Sequence, residues 1–212
     1  MRNPGAGRKP RPTDVSQHIA RIGNGDLPEY AQKTLAVIDA VHTDGGLPQL
    51  RFDEATVSGG AQARYSYDQR LIEVDPAKSA PHFALVHEIG HAIDYALGEG
   101  SFASATNDSA LRHWRDAIYG SQGYLRILDY ADRITSLAEA EYVNYAIRNS
   151  ELWARSYAQY IAARSEDRVL LLQLRNRQDY KPEELQLQWH DEDFEDIASA
   201  IDGYFRLVTW II

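Results

Sequence analysis

"LVHEIGHAID" (residues 85–94) places two histidines four positions apart, with a glutamate directly after the first, inside an otherwise apolar run. At 100° per residue, His87 and His91 project from one helix face about a turn apart, so both imidazoles can meet a single ion. The flanking Leu85, Val86, Ile89, Gly90, Ala92 and Ile93 are apolar or small, which makes the segment a buried helix. Two imidazoles without a partner would be costly there. Glu88 points beside the pair and not at the ion. From that position its carboxylate can take a proton from a water and pass it to a leaving amine, the acid–base role needed in a zinc hydrolase. Gly90 weakens a helix by about 0.5 to 1 kcal/mol relative to alanine and is best tolerated where something approaches closely. The spacing therefore predicts a Zn2+ site with His87 and His91 as ligands and Glu88 as general base.

Around this helix the pattern is α+β. Pro81 opens the motif helix, which runs through Leu97 until "GEG" (98–100) closes it. Ahead of it, "LPQLRFDE" (47–54) and "ARYSYDQRLIEVD" (63–75) read as extended segments of a small twisted sheet; Leu71, Glu73 and Asp75 alternate there with Ile72 and Val74. A first helix follows Asp26 as N-cap, with Pro28 in its first turn and Leu35, Ile38 and Val41 at core spacing, and "DGG" (44–46) stops it. Behind the motif the chain is mostly helical, over about 105–118, 135–163 and 190–208. In the last span Phe194, Ile197, Ile201, Phe205 and Val208 form one buried face. The acid-rich "HDEDFED" (190–196) suits a helix start and lacks the turn glycine of a calcium loop. Residues 1–16, rich in Gly, Pro and Arg with little to bury, read as a flexible arm, and 17–212 as a single domain.

Composition narrows the chemistry. Lys and Arg number 22 against 31 Asp and Glu, a net charge of −9, which argues against nucleic acid or an anionic membrane as partner. With no cysteine, any metal must be held by His, Asp or Glu. No apolar stretch reaches membrane-spanning length, and the N-terminus lacks a secretory signal pattern. The expectation is a cytoplasmic protein, or one delivered by a non-classical route as an injected effector or virion component. Oligomeric state leaves no trace in the sequence.

A catalytic zinc needs a third protein ligand. "HEIGH" with its flanks resembles the zincin metallopeptidases, which implies a zinc-activated water attacking the amide carbonyl of a peptide or protein substrate. Asp94 and Leu97 stand where the metzincin branch has glycine and a third histidine, and Met1 is the only methionine, so a Met-turn is absent. "DAIYG" (116–120) is similar to the aspzincin element and would make Asp116 the ligand, but His113 and Trp114 replace the Gly-Thr expected before it. The stronger resemblance is that of "NSELWARSYAQYIAAR" (149–164) to the third-ligand helix of gluzincins. Within them it resembles the helix of the anthrax lethal factor-like peptidases, and it also looks like the zincin domains of polymorphic toxins and of phage head-morphogenesis neighbourhoods. That likeness implies Glu151 as third ligand. In lethal factor-like sites a tyrosine shortly before this ligand polarises the substrate carbonyl. Asn144 stands seven residues before Glu151 here, with Tyr142 and Tyr145 on either side; Tyr145 is preferred, because "RNS" (148–150) can interrupt the helix and change its facing.

Other features carry two readings each. Asp94, three residues after His91, can accept a hydrogen bond from a ligand imidazole or face solvent. "RLIEVD" (70–75) can be the sheet edge that binds an extended substrate, or simply the last strand. His18, His42, His82, His113 and His190 show no ligand spacing and read as structural or exposed. The rival to a peptidase is an inactive domain of a phage particle or toxin in which zinc braces the fold.

Overall fold

The computed structural model describes residues 14–23, 25–98, 100–106, 109–178 and 185–211. It is an α+β fold with a small mixed sheet beside a larger helical layer. Most of the arm expected over 1–16 lies outside the described residues. Its last part is placed: Val15 is fully buried, and the Ser16 amide donates to Asp39 at 3.2 Å.

Strand β1 (Ile19–Arg21) leads through helix α1 (Glu29–Val41) to β2 (Leu50–Glu54), and the two strands pair in parallel. Helix α1 starts after Pro28, two residues beyond the Asp26 cap read from sequence, and buries Leu35 and Ile38 as its spacing requires. The stretch 63–75 is not one strand. It folds into β3 (Ala63–Ser66) and β4 (Leu71–Val74), an antiparallel hairpin whose turn ends on Arg70 with φ of 49°. Sheet order is β1-β2-β4-β3, with β4 parallel to β2. "RLIEVD" therefore supplies an interior strand, and the edge nearest the motif helix is β3. Ile72 and Val74 are fully buried, but Leu71 and Asp75 are buried as well and only Glu73 is half-buried, so the alternation read from the sequence does not separate two faces.

Helix α2 (Pro81–Leu97) carries the motif. Proline suits its first position because the missing N–H would be unsatisfied there anyway. Downstream, the span 105–118 shortens to single turns at Ala103–Ala105 and Ser109–Leu111 followed by α3 (Arg112–Gly120). Helix α4 (Gln122–Ala131) was not legible from the sequence pattern. The span 135–163 divides into α5 (Leu137–Ala146) and α6 (Asn149–Ser165), with Arg148 extended between them. Helix α7 (Arg168–Gln178) is a second unexpected element, and α8 (Asp191–Leu207) buries Phe194, Ile197, Ile201 and Phe205, whereas Val208, expected on that face, caps the helix end half-buried.

Helix α6 is the axis of the core. Every residue from Glu151 to Ala162 is buried, so it has no solvent face over three turns and no amphipathic stripe to read. It packs most extensively on α2, with α1, α7 and α8 around it. Among the described residues, no helix is long and apolar enough to cross a membrane.

Candidate metal centre

Three side chains from two helices converge. Helix α2 contributes His87 and His91, whose ring centroids lie 4.8 Å apart, and the first turn of α6 contributes Glu151. One ligand atom from each of the three lies within 4.8 Å of the others, and the group could hold a metal ion. His87 Nε2 is 3.5 Å from Glu151 Oε2, and His91 Nε2 is 3.3 Å from Glu151 Oε1. Charge-assisted hydrogen bonds are about 2.7–2.9 Å long, so these are poor ones. Ligand atoms on a tetrahedral zinc at about 2.05 Å stand about 3.3 Å from one another. The two imidazole–carboxylate distances are those of ligands sharing one ion, and the three ligand atoms together lie within 4.8 Å. Two imidazoles and a carboxylate are also a donor set that zinc accepts.

The surroundings shift each proton. Burial alone would raise the Glu151 carboxyl, but the two imidazoles facing it outweigh that and hold it well below the usual carboxylate range. Burial would lower His91, yet Glu151 and Glu88 reverse the sign and raise it. At Glu88 burial prevails over the attraction of His87 and His91, and its carboxyl is raised. Glu88 lies outside the group of potential ligands and lines the cleft beside His87.

Close packing of α2 on α6 sets the geometry. A Cβ added to Gly90 would stand 3.0 Å from Ala154 Cα and 3.1 Å from Tyr157 Cδ1. Trp153 Nε1 donates to the Gly90 carbonyl at 3.1 Å, tying the helices where they approach. Gly90 thus lets Glu151 reach the histidine pair. Gly90→Val is expected to destabilise the protein by about 1–3 kcal/mol through overpacking, and to weaken metal binding because α6 is wedged outward. Thermal unfolding together with a metal titration checks this; a valine variant that binds metal as the parent does would refute the packing argument.

The break between α5 and α6 is held by Arg155. Its guanidinium donates to the backbone carbonyls of Ala146, Glu151 and Leu187, the last at 2.8 Å, and lies 5.6 Å from the Trp189 ring centroid. These bonds satisfy a helix-terminal carbonyl that the break would leave open. The break also places the tyrosine at the site: Tyr145 lines the same cleft as Glu151, and partial burial followed by the Glu151 charge pushes its proton affinity far up. Tyr142 lines the same cleft one turn away.

Asp94 takes neither role expected of it. It is buried, and its carboxylate accepts from the Ser104 amide at 2.7 Å and the Ser104 hydroxyl at 2.5 Å. Burial raises its pKa to about 6. His91 Nδ1 is a buried atom with no hydrogen-bond partner among the described residues. Asp116 stands apart on α3, with its side chain 68% exposed and 3.8 Å from Arg112. His42 is buried, with Nε2 3.0 Å from the Tyr157 hydroxyl, whereas His113 and His190 are exposed.

His87, Glu88 and Glu151 line a cleft of about 580 Å³. Arg155 and Arg177 line it, and neither was singled out from the sequence. Arg155, four residues after Glu151 in an otherwise burial-prone helix, was in principle readable; Arg177 leaves no such signal. Comparison with family models, with curated proteins and with solved structures found no match for this chain.

Proposed function

We propose that the chain is a zinc-dependent peptidase that hydrolyses peptide bonds in a peptide or protein substrate. The observation that carries this reading is the His87, His91 and Glu151 group, at ligand spacing, with Glu88 beside it at the wall of an open cleft. His87, His91 and Glu151 would hold the ion. Zinc, when bound, supplies a water made acidic enough to act as a nucleophile near neutral pH.

The chain's own groups divide the remaining work. Glu88 is close enough to the pair to receive a proton from a water and return it to a leaving amine. Tyr145, a phenol that keeps its proton at ordinary pH, can donate to a carbonyl oxygen as negative charge develops on it. Strand β3 is the sheet edge beside α2, the place where an extended peptide would add a strand. The resemblance of "HEIGH" and of the Glu151 helix to zincins of the gluzincin type points the same way.

The test is cleavage of an internally quenched peptide library by protein as purified, by chelator-stripped protein, and by stripped protein given one equivalent of zinc. Activity should vanish and return. A zinc-loaded protein that cuts nothing in a broad peptide and protein screen would overturn the peptidase reading.

A further inference from the structure

Arg177 is an unusual lining for a cleft whose nearest acids face a metal site. It lies near the C-terminal end of α7, with its guanidinium 5.0 Å from the Phe83 ring centroid. Its Nη2 donates to Gln62 Oε1 at 2.6 Å, while its Nε is buried without a partner. Among the described residues no carboxylate pairs with it. Burial lowers its proton affinity, the mark of a charge that is poorly compensated. Arg155, the other cation of the cleft, is already engaged by three backbone carbonyls.

Position ties this cation to the candidate metal centre. Phe83 precedes His87 by one helical turn, which sets their Cβ atoms about 5–6 Å apart. The guanidinium therefore stands on the order of 10 Å from the His87 imidazole, a span of about three residues of extended peptide. The Gln173 side chain, also on α7, accepts from the Phe83 amide at 2.8 Å and fixes α7 against the start of α2. The cation is thus mounted on a packed helix.

Resting on the peptidase reading, we propose that Arg177 is a specificity-determining residue that receives a carboxylate of the substrate within about three residues of the cleaved bond. A guanidinium presents a planar fork of donors matched to a carboxylate, and a half-buried cation with an unpartnered Nε gains from an anion that neutralises it. The carboxylate can belong to an Asp or Glu side chain or to the free C-terminus of a peptide.

The experiment uses zinc-loaded Glu88→Gln protein, to prevent turnover, and dye-labelled octapeptides. One arm walks a single Glu, or Gln in its place, along C-terminally amidated peptides; the other uses free-acid peptides without Glu. At one position Glu should bind at least tenfold tighter than Gln, or the free acid tenfold tighter than its amide, and this identifies the source. Arg177→Gln should abolish the difference, Arg177→Lys should keep part of it, and Arg177→Glu should turn the preference towards Lys. Equal binding of Glu and Gln peptides together with no gain from a free C-terminus, or a preference that survives Arg177→Gln, would overturn the assignment. Library cleavage by the parent separates the two readings. Cutting without acidic preference sinks the Arg177 assignment and leaves the peptidase; Arg177-dependent binding without any cutting sinks the peptidase and leaves the carboxylate subsite.

Discussion

Glu151→Ala is expected to lower zinc affinity by at least about 100-fold. Groups that merely orient a ligand from behind already cost about 10–100-fold when removed, and Glu151 is itself the carboxylate facing both imidazoles, at 3.5 and 3.3 Å. The loss should appear as zinc surrendered to a chromophoric chelator that the parent resists. Asp116→Ala is the matched control and should behave as the parent, because Asp116 is exposed on α3 and outside the ligand group. Zinc lost by the Asp116 variant and kept by the Glu151 variant would place the third ligand on the wrong helix.

Glu88→Gln is expected to keep its zinc and lose about 10²- to 10⁴-fold in peptide cleavage, the usual consequence of removing a general base. The side chain is buried on α2, adjacent to His87 and apart from the ligand set. Glutamine preserves its volume and most of its hydrogen bonding, so packing should survive and proton transfer should not. Single-turnover cleavage measured beside metal content separates the two. Parent-level cleavage by the variant would remove Glu88 from the chemistry, and loss of zinc would mean that it acts as a ligand.

How far the sequence could be read depended on whether the deciding contact was local. Helix α2 was legible because all its signals lie within it: Pro81 at its start, an apolar run, and imidazoles one turn apart. Glu151 came from the resemblance of its helix and not from physics, since α6 is buried on all sides and carries no periodic stripe. The division of α5 from α6 is fixed by Arg155 reaching back to the Ala146 carbonyl, a contact that spacing alone does not announce.

Other elements depend on partners far along the chain. The N-terminus of α4 is capped by Asp193, whose carboxylate accepts from the amides of Gln122 and Gly123 at 2.8 and 2.6 Å. A local cap is present as well, the Ser121 hydroxyl accepting from the Tyr124 amide at 3.2 Å, but the short helix that follows buries only Gly123 and Ile127. Helix α7 buries only Leu170 and Leu174, and the run of Val169, Leu170, Leu171 and Leu172 ahead of a polar end shows no helical period. The β3–β4 turn contains no glycine, because Arg70 adopts the left-handed backbone that usually signals one. Missing that turn made β4 look like an edge, when the hairpin places β3 outside it. Asp94 was misread for the same reason: Ser104, ten residues on, claims its carboxylate.

The most direct test of the metal centre is an X-ray absorption spectrum at the zinc edge of protein loaded with one equivalent of zinc. His87, His91 and Glu151 as ligands predict about four nitrogen and oxygen neighbours at about 2.0–2.2 Å, with the outer-sphere scattering of two imidazoles. That imidazole signal should fall by half in His91→Ala. A spectrum without imidazole scattering, or a protein that takes up no zinc, would contradict the account.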